Sequence, residues 1–295
     1  MIFSIITPTY NRANKLHRVF KSIKNQTLQK INGEYIFEWI IIDDGSTDNT
    51  KEVIEKWQKE VDFPIIYKYQ ENRGKPFALK AGIDIARFEW TLMIDSDDAF
   101  VDNTFEYFYE KISNLSSNCV EIAVLCKDQY GNIFYEFPFD NKYIPILKFK
   151  ALEVLETWSI IKSEVLKKSF NIPKEFKGLK FIPESFFWNK LAIENQKKSV
   201  LVVNKVLRVY FREENSLSSG IRLKYPEGFL YESWYFINNI PFVKFRKKYL
   251  KHCLKYIIYS GLLNKNLKLN FKAKFFIYLL YPFAFLIKNR YLKGN

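Results

Sequence analysis

The chain has 295 residues, of which 48% are hydrophobic and 18% aromatic, enough apolar material for one large domain with an appendage. Its formal net charge of +14 is unevenly placed, because residues 241–295 contain 13 Lys and Arg and no Asp or Glu, whereas the rest holds 33 basic and 32 acidic side chains. A neutral body with a cationic end argues against a nucleic-acid surface along the whole protein and predicts a separate docking function for the tail.

Short apolar runs alternate with amphipathic segments through the first half of the chain. Strands are predicted at FSIITP, EWIIIDD, PIIYKYQ and WTLMID, and helices over residues 12–26, from about residue 49, over residues 75–87 and after Asp102. Strand and helix alternation of this kind indicates an α/β domain with a mostly parallel sheet.

The pattern changes from residue 119 onward. CVEIAVLCKDQYGNIFYEF contains two strand-like runs around Gly131 and Asn132, which predicts an antiparallel hairpin. A helix is predicted for EVLETWSIIKSEVLKK, and a further helix is predicted to begin in IPESFFWNKLAIEN. Strand structure is predicted for SVLVVNKVLRVYF. A polar loop after about residue 214 is predicted to separate a first domain, residues 1–215, from a basic, aromatic-rich helical region, residues 216–295.

Cysteines and histidines are few. Cys119, Cys126 and Cys253 are odd in number and lack metal-ligand spacing, and only His17 and His252 accompany them. Neither a disulfide framework nor a zinc site is expected. The N-terminal MIFSIITPTYNR has no basic leader followed by a long apolar stretch, so no secretory signal is expected and the predicted location is cytoplasmic.

Polar clusters follow four of the predicted strands. They are TPTYNR (7–12), DDGSTD (43–48), ENRGKP (71–76) and DSDD (95–98). In an open α/β sheet, ligands bind beyond the carboxyl ends of the strands, because loops and helix N-termini converge there. Four independent segments therefore predict one functional site at one edge of the sheet.

The DSDD cluster suggests a metal site. Asp95 and Asp97 project to the same side if strand geometry persists through them, and carboxylates so close repel each other unless a cation lies beside them. Mg²⁺ or Mn²⁺ is the natural partner, with the remaining coordination positions left for phosphate oxygens of a substrate. The alternative for any one of these carboxylates, and for Asp98 in particular, is a helix cap or a solvated loop residue.

The segments SIITPTYNR, EWIIIDDGSTDNT, NRGKPFALKAGIDIA and DSDD, in this order and spacing, resemble the family 2 glycosyltransferases, inverting enzymes with the GT-A fold. The resemblance covers roughly residues 2–215. It implies a Rossmann-like mixed α/β sheet flanked by helices, here with a basic helical C-terminal extension. It also implies a nucleotide-sugar donor, usually a uridine diphosphate (UDP) sugar, and an Asp-x-Asp motif that binds the ribose and a metal-bridged diphosphate.

By position, the resemblance implies that Pro8, Thr9 and Tyr10 line the nucleobase pocket and that Asp44 accepts a hydrogen bond from the uracil ring. For the polar residues of the diphosphate side, the alternative is a solvated surface position. These candidates are Arg12 and Lys75 for the diphosphate, Asn72 and Gly74 for the loop beside it, Ser96 within the motif, Asp95 for the ribose or the metal, and Asp97, with or without Asp98, for the metal.

Inverting transfer is a single displacement and needs a general base on the side of the attacking hydroxyl. The family supplies a carboxylate late in the domain, and Glu184 in IPESFFWNK lies at a predicted helix N-terminus, where the helix dipole favours the ionised form. The alternative is a first-turn residue that only matches the dipole. Trp158 and Trp188 are candidates for the acceptor side because aromatic faces suit sugar rings, with core packing as the alternative.

The basic tail predicts an interfacial helix. In KAKFFIYLLYPFAFLIKNR, the apolar run over residues 275–287 spans 13 residues and is interrupted by Pro282, whereas a spanning helix needs about 20. Lysines interspersed with Phe, Tyr and Leu predict an amphipathic helix on the anionic inner face of the cytoplasmic membrane. The alternative is a helix packed on the body of the protein with a solvated basic face.

The sequence therefore predicts a metal-dependent inverting glycosyltransferase that takes a nucleotide-sugar donor and a glycan or lipid-linked acceptor in bacterial surface polysaccharide or lipooligosaccharide synthesis. Three rivals stay open. A nucleic-acid-binding module leaves the acidic clusters unexplained. A catalytically silent nucleotide-sugar-binding protein of the same fold is disfavoured by intact Asp44, Asp95, Asp97 and Glu184. A hydrolase with paired carboxylates does not require the nucleotide-pocket segments.

Overall fold

The computed structural model describes residues 2–150, 152, 157–212, 221–240, 242 and 245–293. Its strands are β1 (Phe3–Thr9), β2 (Lys30–Ile31), β3 (Glu34–Tyr35), β4 (Phe37–Asp43), β5 (Ile65–Tyr69), β6 (Trp90–Met93), β7 (Ala99–Phe100), β8 (Cys119–Asp128), β9 (Lys142–Pro145), β10 (Thr157–Lys162) and β11 (Ser199–Tyr210). Its α-helices are α1 (Ala13–Lys24), α2 (Thr50–Glu60), α3 (Lys75–Ile85), α4 (Thr104–Ser113), α5 (Ile146–Lys150), α6 (Ser163–Ser169), α7 (Glu184–Glu194), α8 (Ile221–Lys224), α9 (Pro226–Asn239), α10 (Arg246–Leu263) and α11 (Phe271–Lys293).

The chain divides into two compact units, residues 1–171 with 195–212 and residues 172–194 with 213–295. The second unit therefore takes residues 172–194 out of the predicted domain 1–215 and groups them with the C-terminal helices. The functional boundary at residue 215 stays a prediction, and the loop expected over residues 214–220 lies outside the described residues.

The first unit is built on a mixed sheet, as the alternating pattern predicts. Among the described residues nine strands join in the order β5-β4-β1-β6-β10-β8-β11-β7, with β9 also paired to β11. Strands β5, β4, β1 and β6 are mutually parallel, whereas β10 runs antiparallel to both of its neighbours. The parallel strands share one carboxyl edge, which is where the predicted polar clusters lie.

The parallel half is fixed by burial on both faces of the sheet. Every residue of β1 and β4 is buried, as expected for strands covered by helices on either side. On one face Phe20 of α1 stacks on Trp57 of α2 with ring centroids 4.4 Å apart. On the other, Gly82 of α3 lies so close to β1 that a Cβ atom there would be 2.5 Å from Ile6. The packing of α3 on β1 therefore leaves no room for even one added methyl group.

The helix predicted for EVLETWSIIKSEVLKK is wrong over residues 157–162. These residues form β10, between β6 and β8, and the helix α6 begins only at Ser163. Residues 153–156 of the same prediction lie outside the described residues. A short apolar run does not distinguish a buried strand from a buried helix by periodicity, and here pairing on both edges stabilises the strand.

The hairpin predicted around Gly131 is confirmed at its turn and wrong beyond it. Asp128 Oδ1 accepts from the backbone N–H groups of Tyr130 and Asn132, and Gly131 has φ +94°. Among the described residues the returning run makes a single bridge, Lys127 to Ile133. Strand β8 pairs with β10 on one edge and β11 on the other, so it has little free edge for a hairpin partner.

The second unit is helical, which confirms the helical C-terminal region. Ile257 and Ile258 of α10 pack against Ala284 of α11. No described helix has the length and hydropathy that a membrane span requires. Helix α11 instead leaves much of its apolar surface exposed, with seven large apolar side chains between 54% and 89% accessible: Phe271, Phe275, Tyr278, Leu279, Tyr281, Phe283 and Leu286.

Candidate functional site

The four predicted polar segments are neighbours at the carboxyl edge of the parallel strands. Asp44 N donates to Thr9 O at 2.8 Å, Gln70 N donates to Asp43 O at 2.9 Å, and the strand ahead of DSDD continues from β6 with Ile94 N bonded to Ile6 O at 3.0 Å. The convergence predicted from the sequence is therefore confirmed, and it follows from parallel register alone.

Asn11 joins the first two segments. Its backbone has φ +50°, its Oδ1 accepts from Thr47 N at 2.7 Å, and its N–H donates to Ser46 Oγ at 2.9 Å. Asp48 adds a further link by accepting from Ala13 N at 3.1 Å, at the start of α1. Sequence reasoning missed Asn11, although Asn is the residue type that most readily adopts this left-handed conformation.

Asp44 anchors the loop that follows β5. Its Oδ1 accepts from Gln70 Nε2 at 2.7 Å and from Arg73 N at 3.0 Å, and its Oδ2 accepts from Gly74 N at 2.7 Å. A carboxylate offers about four acceptor positions, so these three bonds leave capacity for one further donor. The uracil contact expected of Asp44 stays a prediction, and the loop-holding contacts come in addition to it.

Gly45 and Asn72 meet where two of these segments cross. Gly45 has φ +88°, and a Cβ atom on it would lie 2.8 Å from Asn72 N. Asn72 itself is exposed, and Gly74, with φ +93°, opens α3. The loop-shaping role expected of Asn72 and Gly74 therefore depends on the missing side chain of Gly45, which the sequence analysis did not single out.

The expected nucleobase segment combines buried and exposed groups. Pro8 and Thr9 are buried at the end of β1, whereas the Tyr10 ring is 48% exposed. The Thr9 hydroxyl is buried without a hydrogen-bond partner among the described residues. A buried polar group of this kind is uncommon in a native protein and is typical of a position that a ligand or water satisfies.

Two of the DSDD carboxylates pair with the two basic residues expected for the diphosphate. Lys75 Nζ lies 2.7 Å from Asp95 Oδ1, and Arg12 donates to Asp97 Oδ2. Burial tends to raise the pKa of Asp95, but the charges of Lys75 and Arg208 outweigh it and lower that pKa to about 2. Asp95 is therefore ionised at neutral pH, and both pairs are partly open to solvent.

Asp98 is not available as an open metal ligand. It is 1% exposed, and its Oδ2 accepts from both Nε and Nη2 of Arg208, with the Nε bond at 2.9 Å, while its Oδ1 accepts from Phe211 N at 3.1 Å. We therefore correct the expectation that Asp98 is a candidate ligand. Burial disfavours the charged guanidinium, yet the carboxylates of Asp98 and Asp95 raise the pKa of Arg208.

Sequence reasoning also missed Arg208. The available signal was an arginine in the mainly apolar, strand-like run LVVNKVLRVY, since a cation buried in such a strand requires a buried acid. Ser96 lies inside the same turn and is buried, and the turn closes through a hydrogen bond from Asp98 N to Asp95 O at 3.2 Å.

Asp95 and Asp97 fit a cation that takes most of its ligands from the substrate and water better than one coordinated by protein side chains alone. Among the described residues no group of three or more His, Cys, Asp or Glu side chains is placed to hold a metal ion. Mg²⁺ and its relatives commonly use one or two carboxylates and take their other ligands from water and substrate phosphates. Asp95 and Asp97, both half-buried, meet that requirement.

The three residues expected on the acceptor side have different outcomes. Trp158 is 4% exposed, donates from its indole N–H to Met93 O at 2.6 Å, and lies 5.4 Å from the ring of Phe100. Its assignment to the acceptor side is wrong, and the core-packing alternative describes it. Glu184 begins α7, as predicted, and Trp188 lies one turn later; both are half-buried, and their roles stay predictions.

The chain matches the family model described as Glycosyl transferase family 2 over residues 4–170, more than half of its length. It belongs to this family. Family membership argues against the nucleic-acid-binding and hydrolase rivals, because neither explains a transferase domain that contains all four of the predicted motif segments.

Relatives and solved structures agree with this assignment. The chain is 27% identical over 290 residues to the GalNAc(5)-diNAcBac-PP-undecaprenol β-1,3-glucosyltransferase of Campylobacter jejuni, covering 92% of this chain and 86% of the relative. It is 36% identical over 232 residues to the poly(ribitol-phosphate) β-N-acetylglucosaminyltransferase TarP of Staphylococcus aureus, covering 73% and 65%. The structure of S. aureus TarS 1–349 in complex with UDP-GlcNAc superposes with a TM-score of 0.63 at 17% identity, covering 100% of this chain and 93% of that one. At that identity the likeness shows the fold, which is the predicted GT-A fold with a helical C-terminal region.

The contact between Gly45 and Asn72 predicts a measurable stability difference. Gly45→Ala places a Cβ atom against the Asn72 backbone in a strained conformation, and we expect a loss of about 2–4 kcal/mol. Gly131→Ala is the matched control, because Gly131 has a similar φ of +94° with nothing within 4 Å, and it should lose only about 1 kcal/mol. Urea denaturation of both variants measures the difference; equal losses would show that the loop crossing is not tight.

Proposed function

We propose that this protein is an inverting glycosyltransferase that moves a sugar from a UDP-sugar to a hydroxyl group of a glycan or lipid-linked acceptor in the assembly of a bacterial surface glycan. The observation that carries the proposal is the pair of half-buried carboxylates, Asp95 and Asp97, each held by a basic side chain at the carboxyl edge of the parallel strands. The names of its relatives support a glycan or lipid-linked acceptor, and the TarS complex supports a UDP-sugar donor.

Uridine is bound by the ends of β1 and β4. The exposed ring of Tyr10 packs against the base, and the remaining acceptor position of Asp44 receives the uracil N3–H, which cytosine lacks. The unpartnered Thr9 hydroxyl supplies a further polar contact. Asp44 N donates to Thr9 O at 2.8 Å, so the two strand ends that carry these groups are already joined, which supports their joint role.

The diphosphate is held at the Asp95–Asp97 turn. Arg12 and Lys75 already lie there, and their side chains provide the positive charge that a diphosphate requires. Asp95 and Asp97 would hold a divalent cation, which supplies Lewis-acid neutralisation of the departing UDP. A manganese complex of a mannosyltransferase from Pyrobaculum calidifontis shares the fold with a TM-score of 0.52 at 16% identity, covering 98% of this chain and 73% of that one.

Transfer is a single displacement at the anomeric carbon. The acceptor oxygen forms a bond to that carbon as the bond to the diphosphate oxygen breaks, so the anomeric configuration inverts. Glu184, the first residue of α7, accepts the proton of the attacking hydroxyl. Trp188, one turn along the same helix, contacts the acceptor sugar.

Helix α11 docks the protein on an anionic membrane. One side of the helix packs on α10 through Ala284, while the seven exposed apolar side chains cover the other. Lys272 and Lys274 flank this surface, and residues 241–295 contain no acidic side chain. Apolar residues bordered by lysines are typical of helices that lie in the interface of anionic bilayers. We place the protein on the inner face of the cytoplasmic membrane for this reason, where lipid-linked acceptors are found.

Release of UDP from UDP-GlcNAc and UDP-glucose tests the reaction. We expect turnover with Mn²⁺ or Mg²⁺ and its loss with a chelator. Turnover should fall by about 10²-fold or more in Asp97→Ala, because that variant removes a carboxylate that would hold the cation on the departing diphosphate. Asp84→Ala is the control, since Asp84 is an exposed partner of Lys80 on α3. Full activity with chelator would remove the cation from the proposal, and absence of turnover with every UDP-sugar would overturn the donor assignment.

Substitution of Glu184 tests the general base. Glu184→Gln should lower kcat by about 10²- to 10⁴-fold and leave UDP affinity unchanged, because the amide cannot accept the proton. Glu194→Gln, at the other end of α7, is the control and should keep its activity. Unchanged turnover in Glu184→Gln would exclude this residue from the mechanism and return the search to other acids of the second unit.

Sedimentation with vesicles tests the docking helix. The protein should pellet with vesicles that contain phosphatidylglycerol but not with pure phosphatidylcholine, and added salt should weaken binding. The triple variant Phe275→Ser, Tyr278→Ser, Leu279→Ser should lose binding, whereas Tyr130→Ser, at an exposed tyrosine of the first unit, should not. Absence of binding to anionic vesicles contradicts the proposal, as does a dimer in sedimentation velocity that the triple variant dissolves.

A further inference from the structure

Arg208 occupies an unusual position in the sheet. It lies on β11, only 8% exposed, paired in register with Phe100 of β7 and Cys126 of β8. A guanidinium so far removed from water loses hydration that only close, well-aligned acceptors can replace. Its hydrogen bonds to acidic side chains therefore make contacts that an apolar side chain at this position could not make.

The guanidinium of Arg208 joins two carboxylates of the DSDD turn. Its Nε and Nη2 both donate to Asp98 Oδ2, and the same Nη2 lies 3.3 Å from Asp95 Oδ2. The planar fork of an arginine fixes the direction of both contacts, which a lysine ammonium could not do. One rigid group thus holds a buried acid and the half-exposed acid that pairs with Lys75.

The end of β11 fastens the same turn through its backbone. Phe211 N donates to Asp98 Oδ1 at 3.1 Å, and Leu207 O accepts from Val101 N at 3.1 Å. On the remaining side Arg18 stacks 4.3 Å above the Phe211 ring and donates to Asp97 O at 3.1 Å. The turn is therefore held on both sides of Asp97 by groups that come from β11 or contact it.

Other ion pairs of the sheet have a different arrangement. Glu121 on β8 is fully buried and accepts from Lys150 at 2.7 Å and from Ser159 at 2.7 Å. That pair has the charge of a structural ion pair, and these contacts involve no residue of the 95–98 turn. It provides an internal control for what the loss of a cation paired with a buried acid does to this sheet.

We infer that Arg208 is a positioning residue of the donor site, which holds Asp95 through its contact and the whole 95–98 turn through Asp98, so that the turn is set for a nucleoside diphosphate before the ligand binds. The inference rests on the proposed function and adds to it a residue that none of the motif segments contains. Asp98 serves this anchor and makes no contact with the ligand.

The affinity for UDP, measured by calorimetry with Mn²⁺, tests the inference on three variants. Arg208→Met removes the charge and the fork, Arg208→Lys keeps only the charge, and Lys150→Met breaks the control pair. Loss of a residue that orients a ligand-binding acid commonly weakens binding by about 10- to 100-fold. We expect that loss in Arg208→Met and a large part of it in Arg208→Lys, together with a raised KM for the donor. Lys150→Met should bind within about twofold of wild type, because its pair lies outside the turn.

Thermal unfolding of each variant separates positioning from stability. If Arg208→Met does not fold, Arg208→Lys decides the question, since it keeps a buried positive charge beside Asp98. Wild-type affinity in Arg208→Lys overturns the inference and leaves the proposed function intact, and so does a loss in Lys150→Met as large as that in Arg208→Lys. Failure of the wild-type protein to bind UDP is a different outcome, because it overturns the donor site itself and this inference with it.

Discussion

Four carboxylates crowd one edge of the sheet, and their neutralisation is the constraint on which the rest of the site depends. The carboxylates follow the ends of only two strands, β4 and β6, and are Asp44, Asp95, Asp97 and Asp98. Neighbouring negative charges disfavour the folded state unless each carboxylate has a cation or hydrogen-bond donors beside it. The protein matches every one of them with a group from another segment: backbone amides of the loop before α3 for Asp44, Lys75 for Asp95, Arg12 for Asp97 and Arg208 for Asp98. The start of α1, the start of α3 and the end of β11 are thereby drawn to the same edge.

The basic side chains that neutralise these acids differ in burial, and their roles differ accordingly. The side chains of Arg12 and Lys75 are 28% and 41% exposed, and partly exposed ion pairs cost about 1 kcal/mol or less to open, so both can move to a diphosphate cheaply. The side chain of Arg208 is 9% exposed, and breaking a buried pair costs about 3–5 kcal/mol, so it stays with Asp98. Arg12 and Lys75 can therefore exchange their carboxylate partners for a ligand, while Arg208 keeps holding the turn. The acids of the site are thus neutralised when no ligand is bound, and the site can still bind an anionic ligand.

Sequence reasoning was accurate where a local pattern determines the structure. Three of the four segments at the carboxyl edge follow buried strands, β1, β4 and β6, each of which is an apolar run with a polar end. The fourth follows β5, a half-buried strand that the β-branched and aromatic residues of PIIYKYQ still indicate. It failed where tertiary pairing decides: Trp158 lies on a run that periodicity cannot assign, and insertion of β10 between β6 and β8 buries that side chain in the core. Arg208 was missed because its partner Asp98 is 110 residues away, and nothing in a local window connects them. Gly45 was missed for the same reason, since its close contact with Asn72 is a crossing of two loops.

Titration of UDP into the protein by calorimetry, with CDP as the matched competitor, tests whether the carboxyl edge of the sheet is a uridine diphosphate site. We expect saturable binding of one UDP per chain in the presence of Mn²⁺ and a CDP affinity at least about tenfold weaker, because uracil N3 carries a hydrogen that Asp44 can accept and cytosine N3 carries none. Equal affinity for the two nucleotides would contradict the position given to Asp44 in base recognition. Absence of binding to either would contradict the donor site as a whole.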